Sequence, residues 1–400
     1  MTTTTAPTGS CPVHCGDERK TAAIARDRVK PDYPNAKVVT DMKFAREILR
    51  NPTMRQAGAG ADHVDLSKPE EVSFFFLDGE LHRKKRSQVA RYFQLKAIEE
   101  RYRPVMERVM NRLVAELQRG GFKLLDIMSF QMAVEVAAEA VGLTESDPDE
   151  LAKRIRLQFL AMSKRSRGWL HGLYLKALQT WRVLRFFNKD VKPAIKVRRE
   201  TPRDDVISTL IGVGYSDKSI LIECMTYATA GMLTTREFIV AAAWYLFERP
   251  DVRQRFLAGD EKTQLGILYE ILRLEPVAGM IHRRATEDWT GPNGEQVKAG
   301  DILAIDIRAV NTDESAVGPC PFSFDDSRIG GNLVKGTWLS FAEGPHRCPG
   351  NLIAIHETRY FLDRLFRVPG IRLVKPPTVG WFAPVKGYEL HGALITCDPA

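Results

Sequence analysis

Phe341-Ala342-Glu343-Gly344-Pro345-His346-Arg347-Cys348-Pro349-Gly350 stands about fifty residues before the end of the sequence, and its reading decides the fold. One cysteine lies between two glycines. A proline follows it, then an apolar run at helical spacing: Leu352, Ile353, Ile355, Tyr360, Phe361 and Leu365. Proline suits the first turn of a helix, where its missing N–H costs nothing. Cys348 is therefore expected at a helix N-terminus, where backbone N–H groups and the positive dipole end favour a thiolate. Gly344 and Gly350 let the backbone approach something flat and bulky. A thiolate held this way is a metal ligand or a nucleophile, although most lone cysteines are simply buried small side chains.

No second cysteine stands nearby to complete a zinc pair, so one axial bond to a haem iron is the better fit. The pattern Phe341-x-x-Gly344-x-His346-x-Cys348-x-Gly350 resembles the haem-binding loop of the cytochrome P450 family, and it is highly specific. The resemblance spans roughly residues 35 to 400 and rests also on segments 230–235, 270–273 and 283–288, in matching order. It implies a mainly α fold with small β-sheets. Haem b would sit between the long central helix and the helix after the cysteine loop, with Cys348 as the iron's axial ligand and Phe341 and Gly350 against the cofactor.

The bulk numbers are compatible with this. Apolar residues are 44% of 400, enough for a large core. Six scattered cysteines imply no disulfide framework and suit a reducing, cytoplasmic setting. The N-terminus has neither the basic start nor the apolar core of a signal peptide. The longest uncharged stretch of the most apolar segment, 224–235, is twelve residues, so no membrane span is expected. A net charge of +8 is modest, and neither zinc-finger spacing nor an aromatic-basic repeat points to nucleic acid.

Taken in order, residues 1–20 are expected to be a disordered tail, with Cys11, His14 and Cys15 part of it rather than metal ligands. Residues 21–400 read as one domain, since no repeat or low-complexity linker divides them. Val38 to Thr40 reads as a strand and Asp41 as the cap of a helix through Leu49. The part ahead of this point is short for the family. In a helix over 80–93, His82 and Arg86 are four apart and share a face. The resemblance implies that both reach a haem propionate, with Arg283 and His346 completing that shell. Arg83, Lys84 and Lys85 are expected to be exposed and, with Arg91, to give a positive surface for an acidic electron-transfer protein. Helices are expected at 97–120, 125–142 and 149–163. The basic, aromatic segment 164–174 is expected to be a loop, at the position of the family's pocket cover.

A long helix from Ser216 or Asp217 to Glu248 is apolar nearly all round, as a buried helix should be. Within it, Ala230, Gly231 and Thr234 resemble the family's oxygen-binding segment. Gly231 leaves room over the iron, and the Thr234 hydroxyl can bond back to the Ala230 carbonyl and bend the helix. The resemblance makes Thr234 the proton-relay residue. Leu233 departs from the family, which commonly has Asp or Glu there. Protons are then left to Thr234 and water, to Glu237 one turn on, or to the substrate. Glu270 and Arg273 are three apart, and the resemblance implies a buried structural pair. Alternation suggests strands around 302–307 and 388–395, with a turn at 291–294 and a last helix over 351–366.

The activity implied is insertion of one oxygen atom from dioxygen into a small, mainly apolar organic substrate. Electrons would come from NAD(P)H through a ferredoxin reductase and a ferredoxin. Leu233 motivates an alternative: oxidative coupling, dealkylation or peroxide-driven oxidation. A haem-binding sensor or carrier without catalysis is a third reading, against which Thr234 and the basic surface argue.

Overall fold

The computed structural model describes residues 16–58, 60–162, 168–329 and 338–399. Cys11, His14, Cys15 and positions 164–167 lie outside them. Asp41 caps α1 (Met42–Arg50), its carboxylate accepting the Phe44 N–H at 2.6 Å. α2 (Gly79–Val89) follows, then α3 (Arg103–Gly120) and α4 (Leu125–Val141). These last two end at Gly121 and Gly142, left-handed at φ +73° and +100°. α5 (Pro148–Met162) and α6 (Trp169–Phe186) pack as a pair.

The long central helix has three parts. Ser216 caps α7 (Asp217–Tyr227) by accepting the Ser219 N–H at 3.1 Å. A π-helical turn (Ala228–Leu233) leads into α8 (Thr234–Glu248), which stops ahead of Pro250 as expected. Ile239 to Ala243 are all buried, so α8 is a core helix on every side. Around it, α3, α4, α9 (Glu261–Leu274) and α10 (Asn351–Phe366) share one apolar cluster that includes Leu113, Met132, Leu268 and Phe361.

The short N-terminal part still builds the first sheet. β1 (Lys37–Val39), β2 (Met54–Ala57), β3 (Met280–Ala285) and β4 (Ile302–Asp306) run in the order β1-β4-β3-β2, parallel only at β1–β4. The register sets Gln56 opposite Arg283. The expected strand over 388–395 is two. Gly387–His391 pairs with Thr378–Phe382, while Leu394–Thr396 joins Arg372–Lys375 and Phe122–Leu124.

Four expectations are corrected. Residues 16–20, read as tail, are held: the Glu18 N–H bonds the Phe322 carbonyl, and its carboxylate takes Arg249 at 2.8 Å. Positions 169–174 are not loop but the first turns of α6, since Gly168 at φ +146° stands at its N-cap and no proline interrupts the run that follows. Lys85 is buried, donating to the carbonyls of Val72 (2.6 Å) and Pro69 (3.2 Å). Cys320 is disulfide-bonded, unlike the separate thiols Cys224, Cys348 and Cys397.

Glu357 on α10 is 2% exposed, and one carboxylate oxygen has no hydrogen-bond partner. Burial pushes its carboxyl up to about 8. The unfolded chain therefore loses this proton first, near the usual carboxylate range, and stability falls as pH rises from there to about 8. Glu357→Gln should flatten this dependence and raise stability at pH 8 by on the order of 3 kcal/mol. Melting temperatures of both proteins across pH 5 to 8 check it; parallel curves would remove Glu357 from the account.

Candidate active site

The cysteine loop is built by close approach to α1 and by a buried network behind it. Gly344 sits at φ +70°, and a Cβ there would lie 2.1 Å from the Leu49 carbonyl oxygen. Its freedom therefore serves the seating of the loop on α1, not the approach of a flat ligand. Glu343 pairs with Arg50 beside it. The Cys348 N–H bonds the Phe341 carbonyl at 2.8 Å, closing the loop. Gly350 is the N-cap of α10, so Pro349 stands just ahead of the helix rather than in its first turn. A side chain at Gly350 would meet nothing within 4 Å, which leaves open space at this end of α10.

Behind the loop, Arg273 forks onto both oxygens of Glu270 at 2.8 and 2.7 Å, and neither residue is more than 1% exposed. Arg273 also donates to the carbonyls of Asn311 (3.2 Å), Pro321 (2.6 Å) and Ser323 (3.0 Å). Arg328, at the end of the 321–328 stretch leading toward the loop, adds a second guanidinium on Glu270 at 3.0 Å, a pairing the sequence did not suggest. Asn311 then accepts the Leu339 N–H (2.9 Å) and donates to Ser340 (2.8 Å), two residues that lead directly into Phe341. A buried charge network thus fixes where the cysteine loop begins.

Cys348 is enclosed by protein on most sides yet keeps some free surface, as a thiol lining an internal cleft does. Burial pushes the thiol up, against the Gly350 N–H and the guanidiniums of Arg86 and Arg347. The helix end alone therefore does not make it a free thiolate nucleophile. A bound cation would, because a coordinating thiol is deprotonated outright.

Cationic side chains converge from three elements. His82 on α2 stacks on His346 of the loop, centroids 4.3 Å apart and planes 28° from parallel. His346 reaches Asp78 at 2.9 Å, and Arg86 donates to the Arg347 carbonyl at 2.6 Å. Burial brings the His82 imidazole down to about 4, with His346 and Arg86 adding to the effect, and its Nε2 has no partner. Arg283 on β3 is 3% exposed, and its one hydrogen bond among the described residues goes to the adjoining His282 carbonyl. Burial lowers it to about 10, Asp78 pulling the other way. A buried guanidinium without a carboxylate in reach is strongly disfavoured unless an anion joins it. Burial would raise Asp78, but His346 brings its carboxyl below the usual range. Asp78 had no signal in sequence, since its partner lies 268 residues away.

The central helix opens where the sequence suggested. Ala230 and Gly231 are exposed between the buried Ala228 and Met232 in the middle of the helix, and a side chain at Gly231 would meet nothing within 4 Å. Thr234 Oγ1 donates to the Ala230 carbonyl at 2.6 Å, and Thr226 and Thr229 bond back in the same way. With the π-helical turn, which adds a residue, these bonds open the groove. Leu233 is 7% exposed and packs into the apolar cluster of α4 and α7. Glu237 has both oxygens engaged, by Arg236 and by the Leu390 N–H at 2.7 Å, and burial pushes it up to about 7.

One site therefore combines a single thiol, a buried excess of positive charge and open space beside Gly231 and Gly350. That donor set fits haem b: a soft ligand for iron, cations for two carboxylates, and room for a flat ring.

Comparison with known proteins gives the same answer. The cytochrome P450 family model matches residues 266–368. The biotin biosynthesis cytochrome P450 of Bacillus subtilis is 26% identical over 83% of this chain and 81% of its own. The steroid C26-monooxygenase of Mycolicibacterium smegmatis is 25% identical over 87% of this chain and 84% of its own. The crystal structure of P450BioI in complex with hexadec-9Z-enoic acid ligated acyl carrier protein shares the fold, with TM-score 0.76 and 20% identity over 95% of this chain and 98% of that one. In its thiol loop, its buried cations and its fold, the chain is thus similar over most of its length to cytochrome P450s, which are haem-b-dependent monooxygenases.

Proposed function

We propose that the chain inserts one oxygen atom from dioxygen into a small, mainly apolar organic substrate. Electrons would come from NAD(P)H through a ferredoxin-type partner. The observation that carries the reading is the groove at Ala230, Gly231 and Thr234, where the middle of the central helix opens. Haem, when bound, supplies the reductive activation of dioxygen. In this reading Cys348 would ligate its iron, His82, Arg86, Arg283 and His346 would hold its carboxylates, and Phe341 and Gly350 would border it. Residues 21–400 act as one catalytic domain.

Thr234 is the side chain that moves a proton in the groove. Leu233 offers none, and the carboxylate of Glu237 is committed to Arg236 and to Leu390. The hydroxyl can pass a proton from water while its bond to the Ala230 carbonyl keeps it oriented. Arg83 and Lys84 are exposed on the helix whose Arg86 reaches the cysteine loop, which places a positive surface next to the site for an acidic electron donor.

Thr234→Ala should leave the haem spectrum unchanged and lower product per electron by on the order of 10- to 100-fold, with peroxide released instead. Peroxide and product are measured together during NAD(P)H turnover with a ferredoxin and its reductase. Unchanged coupling would take Thr234 out of the mechanism. Leu233 favours a second reading, in which hydrogen peroxide replaces the redox chain. Equal product from the wild type with peroxide alone would support it.

A further inference from the structure

Six large apolar side chains of one helix stand in solvent. Trp169 (75% exposed), Leu170 (65%), Leu173 (56%), Tyr174 (62%), Trp181 (53%) and Leu184 (53%) all belong to α6. With 3.6 residues per turn they fall, with Ala177, on one side of the helix. Lys176 and Arg185, both exposed, border that strip on opposite edges. Positions 171, 175, 178 and 182, on the other side, are only half-exposed, and there Arg182 reaches the Leu157 carbonyl of α5. No residue of α6 before Phe186 is buried, so most of the helix projects from the body of the molecule. Contiguous apolar surface of this kind marks an interaction site rather than ordinary exposure.

Charge selects the occupant. Residues 151–189 hold ten Lys or Arg and no Asp or Glu. A second copy laid on this face would bring Lys176 and Arg185 of both chains together with no acid in α6 to separate them. Three of the six exposed side chains are Trp or Tyr, whose rings suit the boundary between lipid headgroups and acyl chains. Lys and Arg at the edges can bury their stems and keep their charge among phosphates. The Arg185 guanidinium already lies 5.4 Å from the Trp181 ring centroid, at the rim of the strip. No helix among the described residues is long and apolar enough to cross a membrane, so contact along α6 would be peripheral.

We propose that the exposed face of α6 docks the protein on an anionic lipid surface, with Trp169, Trp181 and Leu173 entering the interface and Lys176 and Arg185 pairing with phosphates. The haem-loaded full chain is floated with phosphatidylcholine vesicles, with and without phosphatidylglycerol. It should bind only the anionic vesicles, with a blue shift of tryptophan emission, and dissociate at high salt. Two double variants, Trp181→Ser with Leu173→Ser and Lys176→Glu with Arg185→Glu, should each weaken binding at least about tenfold while the haem spectrum stays unchanged. Wild-type protein that ignores anionic vesicles overturns the proposal. So does a dimer in sedimentation velocity that Trp181→Ser disperses, because a second copy then covers the strip. Binding of an acidic acyl carrier protein without binding of vesicles also overturns it.

Discussion

Glu270→Ala is expected to be the costliest single substitution outside the cysteine loop, lowering stability by at least about 3–5 kcal/mol. Glu270 is the shared carboxylate of two buried guanidiniums, those of Arg273 and Arg328, which are at most 7% exposed. Its removal leaves two cations in the interior. The carboxylate still near, that of Asp325, is 3.6 Å from Arg328 and largely in solvent. Removing Arg328 instead leaves Glu270 with its bidentate Arg273 partner, so Arg328→Ala should cost clearly less. Each arginine variant keeps the other guanidinium on Glu270 and strips carbonyls of a donor, those of Asn311 and Pro321 for Arg273→Ala and those of Val317 and Pro319 for Arg328→Ala, so both should cost less than Glu270→Ala. A domain typically has only about 5–15 kcal/mol in hand, so Glu270→Ala should also reduce haem retained per chain. Urea unfolding of the three variants and their haem content check the ranking. If Glu270→Ala matched the wild type within about 1 kcal/mol, the network would be packing rather than support.

What could be seen in the sequence was local. Asp41 ahead of an amphipathic run, Ser216 ahead of the central helix, and α10 from Asn351 to Phe366 were all legible because caps and periodicity act within a turn or two. The Glu270–Arg273 pair was legible because its partners are three apart on one helix. The partners of Arg328 and Asp78 were not, since they lie 58 and 268 residues away. Lys85 failed for the same reason: within a run of basic residues it looks solvated, yet its ammonium closes the carbonyls of Pro69 and Val72. α6 misled in the other direction. Its aromatic and basic start suggested a loop, because the apolar strip it carries faces no partner among the described residues. Thr234 pointed to a bend, but the extra residue of the π-helical turn has no signature in residue types.

Cys348→Ala should separate the loop's fold from its chemistry. Alanine keeps the Cβ and the backbone, and the contacts that shape the loop are made by others: the Cys348 N–H with Phe341, Gly344 against Leu49, and Glu343 with Arg50. Stability of the cofactor-free chain should therefore change by less than about 1 kcal/mol, as for an exposed substitution. The sulfur is different, since the other free thiols among the described residues, Cys224 and Cys397, are buried on other elements and Cys320 is disulfide-bonded. With the thiol gone, His82, Arg86, Arg283 and His346 can still attract the carboxylates of haem, so some pigment should remain bound, more weakly. Its dithionite-reduced carbonyl complex should lose the strongly red-shifted band of a sulfur ligand, and oxygenation of any substrate should fall to background. Arg283→Met is the complement. It should leave the sulfur signature intact in whatever haem is held while accelerating haem loss, because the cation it removes is buried and bonds no carboxylate of its own. A red-shifted band persisting in Cys348→Ala would move the iron ligand elsewhere, and equal haem loss from Arg283→Met and wild type would free Arg283 from the carboxylates.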